Sequence, residues 1–171
     1  ITIKTQAGVK KVKIYKLNGK VSAVTIDMGK PDLSDKTKEL TVDGKKYDVT
    51  VLSVGNPHCV TFCDFVDKVP LKELGPKFEH HPLYPERINT EFVRVVGPNE
   101  LKMRTWERGN GETPACGTGA CAAVIAAVQK GYCSMNEDVT VNVRGGSLMV
   151  RYTGDTVFLT GGTTMSYEGE V

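Results

Sequence analysis

At 171 residues the chain is long enough for one large domain or two small ones, and its composition, 40% apolar and 25% charged, is that of a globular protein with a sizeable core. A net charge of +2 without an Arg-rich tract or basic stripe argues against a nucleic-acid partner. The longest apolar run is far too short to cross a bilayer, which argues against a membrane partner.

Residues 1–5 read as a strand, and because a domain rarely starts inside a strand the sequence reads as part of a longer protein. The stretch 12–17 alternates apolar and polar residues, Asn18-Gly19 marks a hairpin turn, and 21–28 is the return strand, ended by Gly29-Lys30-Pro31. The polar stretch 32–40 reads as a loop. After an Asp43-Gly44 turn, 45–54 is strand-like; Gly55-Asn56-Pro57-His58 reads as a turn, and 59–62 as strand. A short helix is expected over 71–80, interrupted at Gly75-Pro76, followed by a loop over 81–85 that leaves His80 and His81 solvated. Stretches 88–96 and 101–106 pair around Gly97-Pro98-Asn99.

Ala120 to Val128 are nine consecutive apolar residues. They predict a helix from about Thr118 to Lys130, stopped at Gly131. A helix with no polar face is buried on all sides. Short strands follow at 139–143, 147–152 and 156–160. The expected fold is α+β, a strongly curved, barrel-like sheet wrapped around one buried central helix. No internal repeat or low-complexity tract interrupts it.

The five cysteines, Cys59, Cys63, Cys116, Cys121 and Cys133, are odd in number and follow no signal-like run, which reads as reduced thiols and a cytoplasmic location. Cys59 and Cys63 share a strand face but lack the turn-borne spacing of a zinc site, so no metal is expected.

Cys116 stands at the mouth of the apolar helix, where free N–H groups and the helix dipole suit an anion. A free cysteine is most often a small buried apolar residue, a description that fits Cys121 one turn further in. At Cys116, Gly117 and Gly119 let backbone approach a ligand and Thr118 adds a hydroxyl. The dipole contributes on the order of 0.3–2 kcal/mol, which lowers a thiol pKa by about one and makes Cys116 the most reactive thiol expected. Glu107 and Arg108 lead into this tip. At a solvated strand end they would do nothing, but a carboxylate beside a thiol can take its proton and an arginine can clamp a carboxylate. Glu112 could cap the helix start. His58, in its polar turn, can serve as a base for a second thiol.

Three separated segments, from Glu107-Arg108-Gly109-Asn110-Gly111-Glu112-Thr113-Pro114-Ala115-Cys116-Gly117-Thr118-Gly119 to Gly55-Asn56-Pro57-His58 and Arg87-Ile88-Asn89-Thr90-Glu91-Phe92, resemble the diaminopimelate epimerase family, and Gly145-Gly146-Ser147-Leu148 extends the likeness. The resemblance implies a cofactor-independent epimerase of two similar domains. Each is a curved sheet around a helix with a cysteine at its tip, and the site lies between them. One thiolate removes the α-proton and the other thiol returns a proton to the opposite face, interconverting LL- and meso-diaminopimelate on the route to lysine and bacterial cell wall. It implies Cys116 as one catalytic cysteine, Glu107 as the carboxylate that helps ionise it, and His58 as the partner of the other cysteine. It also implies Asn56, Asn89, Glu107 and Arg108 as holders of substrate polar groups, and Gly117 and Thr118 as donors to the α-carboxylate.

The family's other cysteine lies in a Cys-Gly-Asn-Gly segment that this sequence lacks. The chain therefore resembles the C-terminal domain: residues 1–22 are expected to belong with an N-terminal domain, 23–162 to form the C-terminal domain, and 163–171 to return as a terminal strand. The N-terminal domain and, in a homodimer, a second copy are the expected protein partners, and the chain alone is expected to be inactive. Alternatives are a proline or hydroxyproline racemase of the same fold, a catalytically silent binding domain, and a cysteine hydrolase using Cys116 and His58.

Overall fold

Two hairpins close where Asn-Gly and Asp-Gly supply left-handed backbone. In the computed structural model, which describes residues 1–5, 8–166 and 169, β1 (Thr2–Thr5), β2 (Gly8–Leu17) and β3 (Lys20–Gly29) pair antiparallel in succession. Asn18 (φ 51°) and Gly19 (φ 78°) turn β2 into β3; Asp43 (φ 51°) and Gly44 (φ 74°) turn β4 (Glu39–Val42) into β5 (Lys45–Ser53). Strand β4 lies partly in the stretch read as a loop. Its alternation is only four residues long, yet it buries Leu40 and Val42.

The chain continues through β6 (Pro57–Phe62), α1 (Leu71–Glu79), β7 (Asn89–Gly97), β8 (Glu100–Glu107), β9 (Gly111–Thr113), α2 (Gly117–Gln129), β10 (Asp138–Val143), β11 (Gly146–Tyr152) and β12 (Val157–Gly162). The strands form one sheet in the order β1-β2-β3-β12-β11-β10-β8-β7-β6-β5-β4, with β9 attached to β8. Pairing is antiparallel except for β6 with β7 and β8 with β10. The path ends at β1 and β4, so the sheet is open and not a closed barrel.

Helix α2 matches the apolar run. Residues 119 to 127 are buried without a break, and Gly131 (φ 75°) follows its end. Its first turn is capped by the Cys116 side chain, whose sulfur accepts the Gly119 N–H at 3.3 Å. Glu112 does not cap it: its carboxylate accepts Arg104 Nε at 2.9 Å and Arg144 Nη1 at 3.2 Å. Side chains of α2 join Val60, Val93, Leu101, Met103, Val139, Val141 and Val150 in one core. A second core, under α1, contains Leu40, Val51, Cys59, Phe78, Ile88 and Phe92.

Helix α1 runs through Pro76 without the expected interruption. Proline removes only the bond to the carbonyl of Lys72, an exposed residue that water reaches. Its buried face sets Phe78 edge-on between Tyr47 and Phe92 and lays Gly75 on the Trp106 ring. In the final segment, 163–166 have no regular structure, and 167, 168, 170 and 171 lie outside the described residues.

A Cβ at Gly75 would sit 2.2 Å from the Trp106 ring, while Gly97 faces open space. Gly75→Ala is expected to lower stability by about 1–3 kcal/mol in urea unfolding, and Gly97→Ala by less than about 0.5. Equal losses would contradict this packing. The Arg104 bond, against the opposing effect of burial, holds the Glu112 carboxyl below its ordinary pKa, with Arg144 adding to it. A depressed folded-state pKa stabilises at neutral pH and loses that effect as pH falls through it. Glu112→Gln should cost about 1–3 kcal/mol at pH 7, and the gap should close below about pH 4 in parallel unfolding titrations.

Candidate active site

Strand alternation assembles the site. Residues two apart share a face, so the faces that carry Val60, Val93, and Leu101 with Met103 to the body of α2 also carry polar residues to its tip. On β6 that residue is His58; on β7, Glu91 and then Asn89; on β8, Thr105 and then Glu107. In register, His58 stands opposite Asn89, and Glu91 stands between Val60 and Thr105.

The groups meet in a continuous hydrogen-bonded chain. Glu91 Oε1 lies 2.8 Å from His58 Nδ1, and His58 Nε2 lies 3.1 Å from Asn56 Oδ1. Asn56 Nδ2 donates to Thr118 Oγ1 at 3.3 Å, and Thr118 Oγ1 lies 3.5 Å from Cys116 Sγ. Asn89 Nδ2 donates to the Pro57 carbonyl at 2.7 Å while its Oδ1 accepts the Arg108 N–H at 2.9 Å, which ties the end of β8 to the start of β6. Arg108 Nη1 donates to the Glu86 carbonyl. The Thr113 hydroxyl donates to the Glu107 carboxylate. Among the described residues, the N–H groups of Gly117 and Thr118 find no acceptor.

All eight residues expected at the site therefore lie in one region, with several corrections to how they are held. His58 is not in a turn. Strand β6 starts at Pro57, and His58 is completely buried. Gly119 serves an internal purpose: a Cβ there would lie 2.6 Å from Glu91 Oε1 and 3.1 Å from Cys116 Sγ. Gly117 lies against Leu159, 2.9 Å from where its Cβ would be.

The Cys116 thiol is not lowered by its helix tip. Burial above all, then the Glu91 charge, pushes it from 9.0 to about 11, against the Thr118 hydroxyl and the Gly119 N–H, and Glu107 adds to the rise. Burial pushes Cys121 to about 12 and Cys59 well above its ordinary value. All five thiols are free, and Cys63 alone is not buried, so access does not favour Cys116.

Two buried carboxylates went unnoticed in the sequence. Glu79 accepts from Trp106 Nε1 (2.7 Å) and the Gly109 N–H (2.8 Å) and pairs with Arg87, which pins the turn after β8. Glu91 is fully buried, and its Oε2 has no partner among the described residues. The signal for Glu91 was present in Asn89-x-Glu91-x-Val93, whose alternation puts all three on one face.

The model of the diaminopimelate epimerase family matches residues 50–166. A curated diaminopimelate epimerase of Desulfovibrio desulfuricans is 42% identical over 190 residues, covering 99% of this chain and 66% of the relative. One of Acetivibrio thermocellus is 44% identical over 185 residues, covering 100% and 65%. The chain thus spans just under two thirds of these relatives. Among solved structures, a hydroxyproline epimerase from Agrobacterium vitis with bound trans-4-hydroxy-L-proline superposes with a TM-score of 0.74 at 14% identity, covering 98% of this chain and 58% of that one. A probable proline racemase from Agrobacterium radiobacter K84 gives 0.71, also at 14% identity, covering 100% and 59%. At that identity the likeness is one of fold. With matched sequence over most of its length and the family's motifs gathered at one helix tip, the chain belongs to the diaminopimelate epimerase family.

Proposed function

We propose that the chain supplies one half of an enzyme that epimerises LL-diaminopimelate to meso-diaminopimelate by proton transfer between two thiols. The observation that carries this reading is the buried tip of α2, where Cys116 stands between the end of β8 and the His58–Asn56–Thr118 chain. Inverting a stereocentre needs an acid and a base on opposite faces of the carbon. Cys116 holds its proton firmly in the resting chain, and its thiolate is correspondingly strong as a base. Glu107 exchanges that proton. The unpaired N–H groups of Gly117 and Thr118 receive the α-carboxylate, with the helix dipole behind them. Asn56, Asn89, Glu107 and Arg108 hold the substrate's other polar groups, and His58 serves the second thiol. No cofactor enters these steps. The substrate class follows the 42–44% likeness to diaminopimelate epimerases rather than the 14% likeness of fold to enzymes of proline and hydroxyproline.

In this reading the sheet curls around α2 as the central helix of the domain. Seven neighbouring strands, β5 to β8 and β10 to β12, touch α2. Laid flat they would span about 30 Å, against a helix about 10 Å across. Residues 23–162 form this domain. Residues 1–22 belong with the domain that brings the second thiol: β1 is exposed along its length, and Val9 and Leu17 on β2 are 67% exposed. The segment 163–171 is assigned to the same domain; its described start is held to β3 by the Thr163 bonds to Val21 and Ser22. The setting is cytoplasmic; no helix among the described residues is long and apolar enough to cross a membrane.

Incubation with diaminopimelate in heavy water tests the reading. The 171-residue chain alone should exchange no α-hydrogen. Joined in one polypeptide to the N-terminal third of the Acetivibrio thermocellus relative, it should exchange and epimerise, and Cys116→Ala should lower the rate by at least about a hundredfold. Robust turnover by the chain alone would refute the two-thiol mechanism. Cleavage of an acyl substrate in place of exchange would point to a hydrolase.

A further inference from the structure

Glu91 is the charged group that the mechanism above leaves unused. It is fully buried, and a buried carboxylate with an unpartnered oxygen is costly and needs a reason. Its surroundings do not neutralise it: the Thr105 hydroxyl reaches Oε1 only at 3.4 Å, and His58 Nδ1 at 2.8 Å is its one close partner. On its other side, a single missing methyl group at Gly119 separates the same oxygen from the Cys116 sulfur.

We propose that Glu91 is a positioning residue shared by the two proton-transfer groups, fixing the His58 ring through Nδ1 while lying against the Cys116 thiol across the gap at Gly119. The inference rests on the reading of Cys116 and His58 as the groups that serve the two thiols.

The bond to Nδ1 assigns the imidazole its orientation, and Nε2 is the nitrogen that exchanges protons, its N–H when protonated donating to Asn56 Oδ1 at 3.1 Å. When the opposite thiol gives its proton to Nε2, the S–H bond breaks, an N–H bond forms, and imidazolium and thiolate result with no change in oxidation state. Glu91 then faces the imidazolium as its counter-charge, an arrangement worth more in a buried site than in water. The same negative charge opposes ionisation of Cys116. One carboxylate therefore orients the His58 ring and opposes ionisation of Cys116. The charged and titratable groups facing Cys116 are Glu91 from β7, Glu107 from β8, His58 from β6 through Asn56 and Thr118, and Cys121 on its own helix.

The test uses the 171-residue chain without substrate. Nitrogen-15 NMR of the histidines should show His58 with a proton on Nδ1, strongly deshielded and slow to exchange, and Glu91→Gln should move that resonance upfield or remove it. Alkylation of Cys116 with iodoacetamide, followed by peptide mapping across pH, should give a midpoint near 11 in the unaltered chain. In Glu91→Gln that midpoint should move down, raising the rate at pH 8 by roughly tenfold. Val60→Ala, which loosens the same core without touching charge, would raise the rate at every pH and leave the midpoint in place. A His58 proton on Nε2 with Nδ1 free overturns the proposal in the unaltered chain, even if Glu91→Gln fails to fold. An unmoved Cys116 midpoint in a folded Glu91→Gln overturns it as well.

These readouts do not depend on epimerase activity. In the joined enzyme, Glu91→Gln should lower kcat by roughly tenfold to a thousandfold with KM changed less than about threefold. An unchanged kcat overturns the role of Glu91 while the epimerase reading stands. Absence of exchange by the unaltered joined enzyme sinks the epimerase reading and leaves the NMR and alkylation results intact.

Discussion

Everything in this chain depends on covering α2. A helix apolar from 119 to 127 has no face to offer water, so each strand it touches must present an apolar side. Three central strands do so only along part of their length. Each changes from apolar to polar on the same face as it reaches the helix tip: Val60 to His58, Val93 to Glu91 and Asn89, Met103 to Thr105 and Glu107. The site is thus the polar margin of the core. His58, Asn89, Glu91 and Thr105 are buried because the residues that continue their faces must be, and Glu107, at the end of β8, is half-buried.

This position decides the chemistry of the thiol. A helix terminus contributes on the order of 0.3–2 kcal/mol in favour of an anion. The rise of Cys116 from 9.0 to about 11 corresponds to about 3 kcal/mol in the opposite direction. Loss of water and the nearby Glu91 charge therefore win over the helix. Of the N–H groups at the tip, that of Gly119 caps onto Cys116, and those of Gly117 and Thr118 find no acceptor among the described residues.

Much of this was legible in the residues. The two left-handed hairpins, the apolar helix and its glycine stop follow from local rules, and the residues picked out in the sequence, Cys116, Glu107, Asn56, Asn89 and His58, lie in one region of the fold. What local rules miss is tertiary. Strand β4 is too short to signal its pairing. Pro76 survives in α1 because its lost bond faces water. Glu91 looked like one acidic residue in a strand, and only the pairing of β7 with β6 and β8 reveals that it is sealed from solvent. The thiol's proton affinity departs from the expectation for the same reason: the helix dipole is a property of sequence, whereas desolvation belongs to the packed fold.

The two parallel pairings organise the molecule further. Each is bridged by a helix, α1 between β6 and β7, and α2 between β8 and β10. Both crossovers step the same way along the sheet, yet β7 and β8 run antiparallel, so the second unit is inverted relative to the first. Crossovers of this kind are right-handed almost without exception. One hand, one direction of travel and opposite strand sense require the helices to lie on opposite faces, as their separate cores show. The geometry of the site is therefore partly a matter of chirality. A chain of L-residues that leaves β8 for β10 has to begin its helix beside the carboxyl end of β8, so Glu107 and Cys116 are neighbours by handedness as well as by sequence.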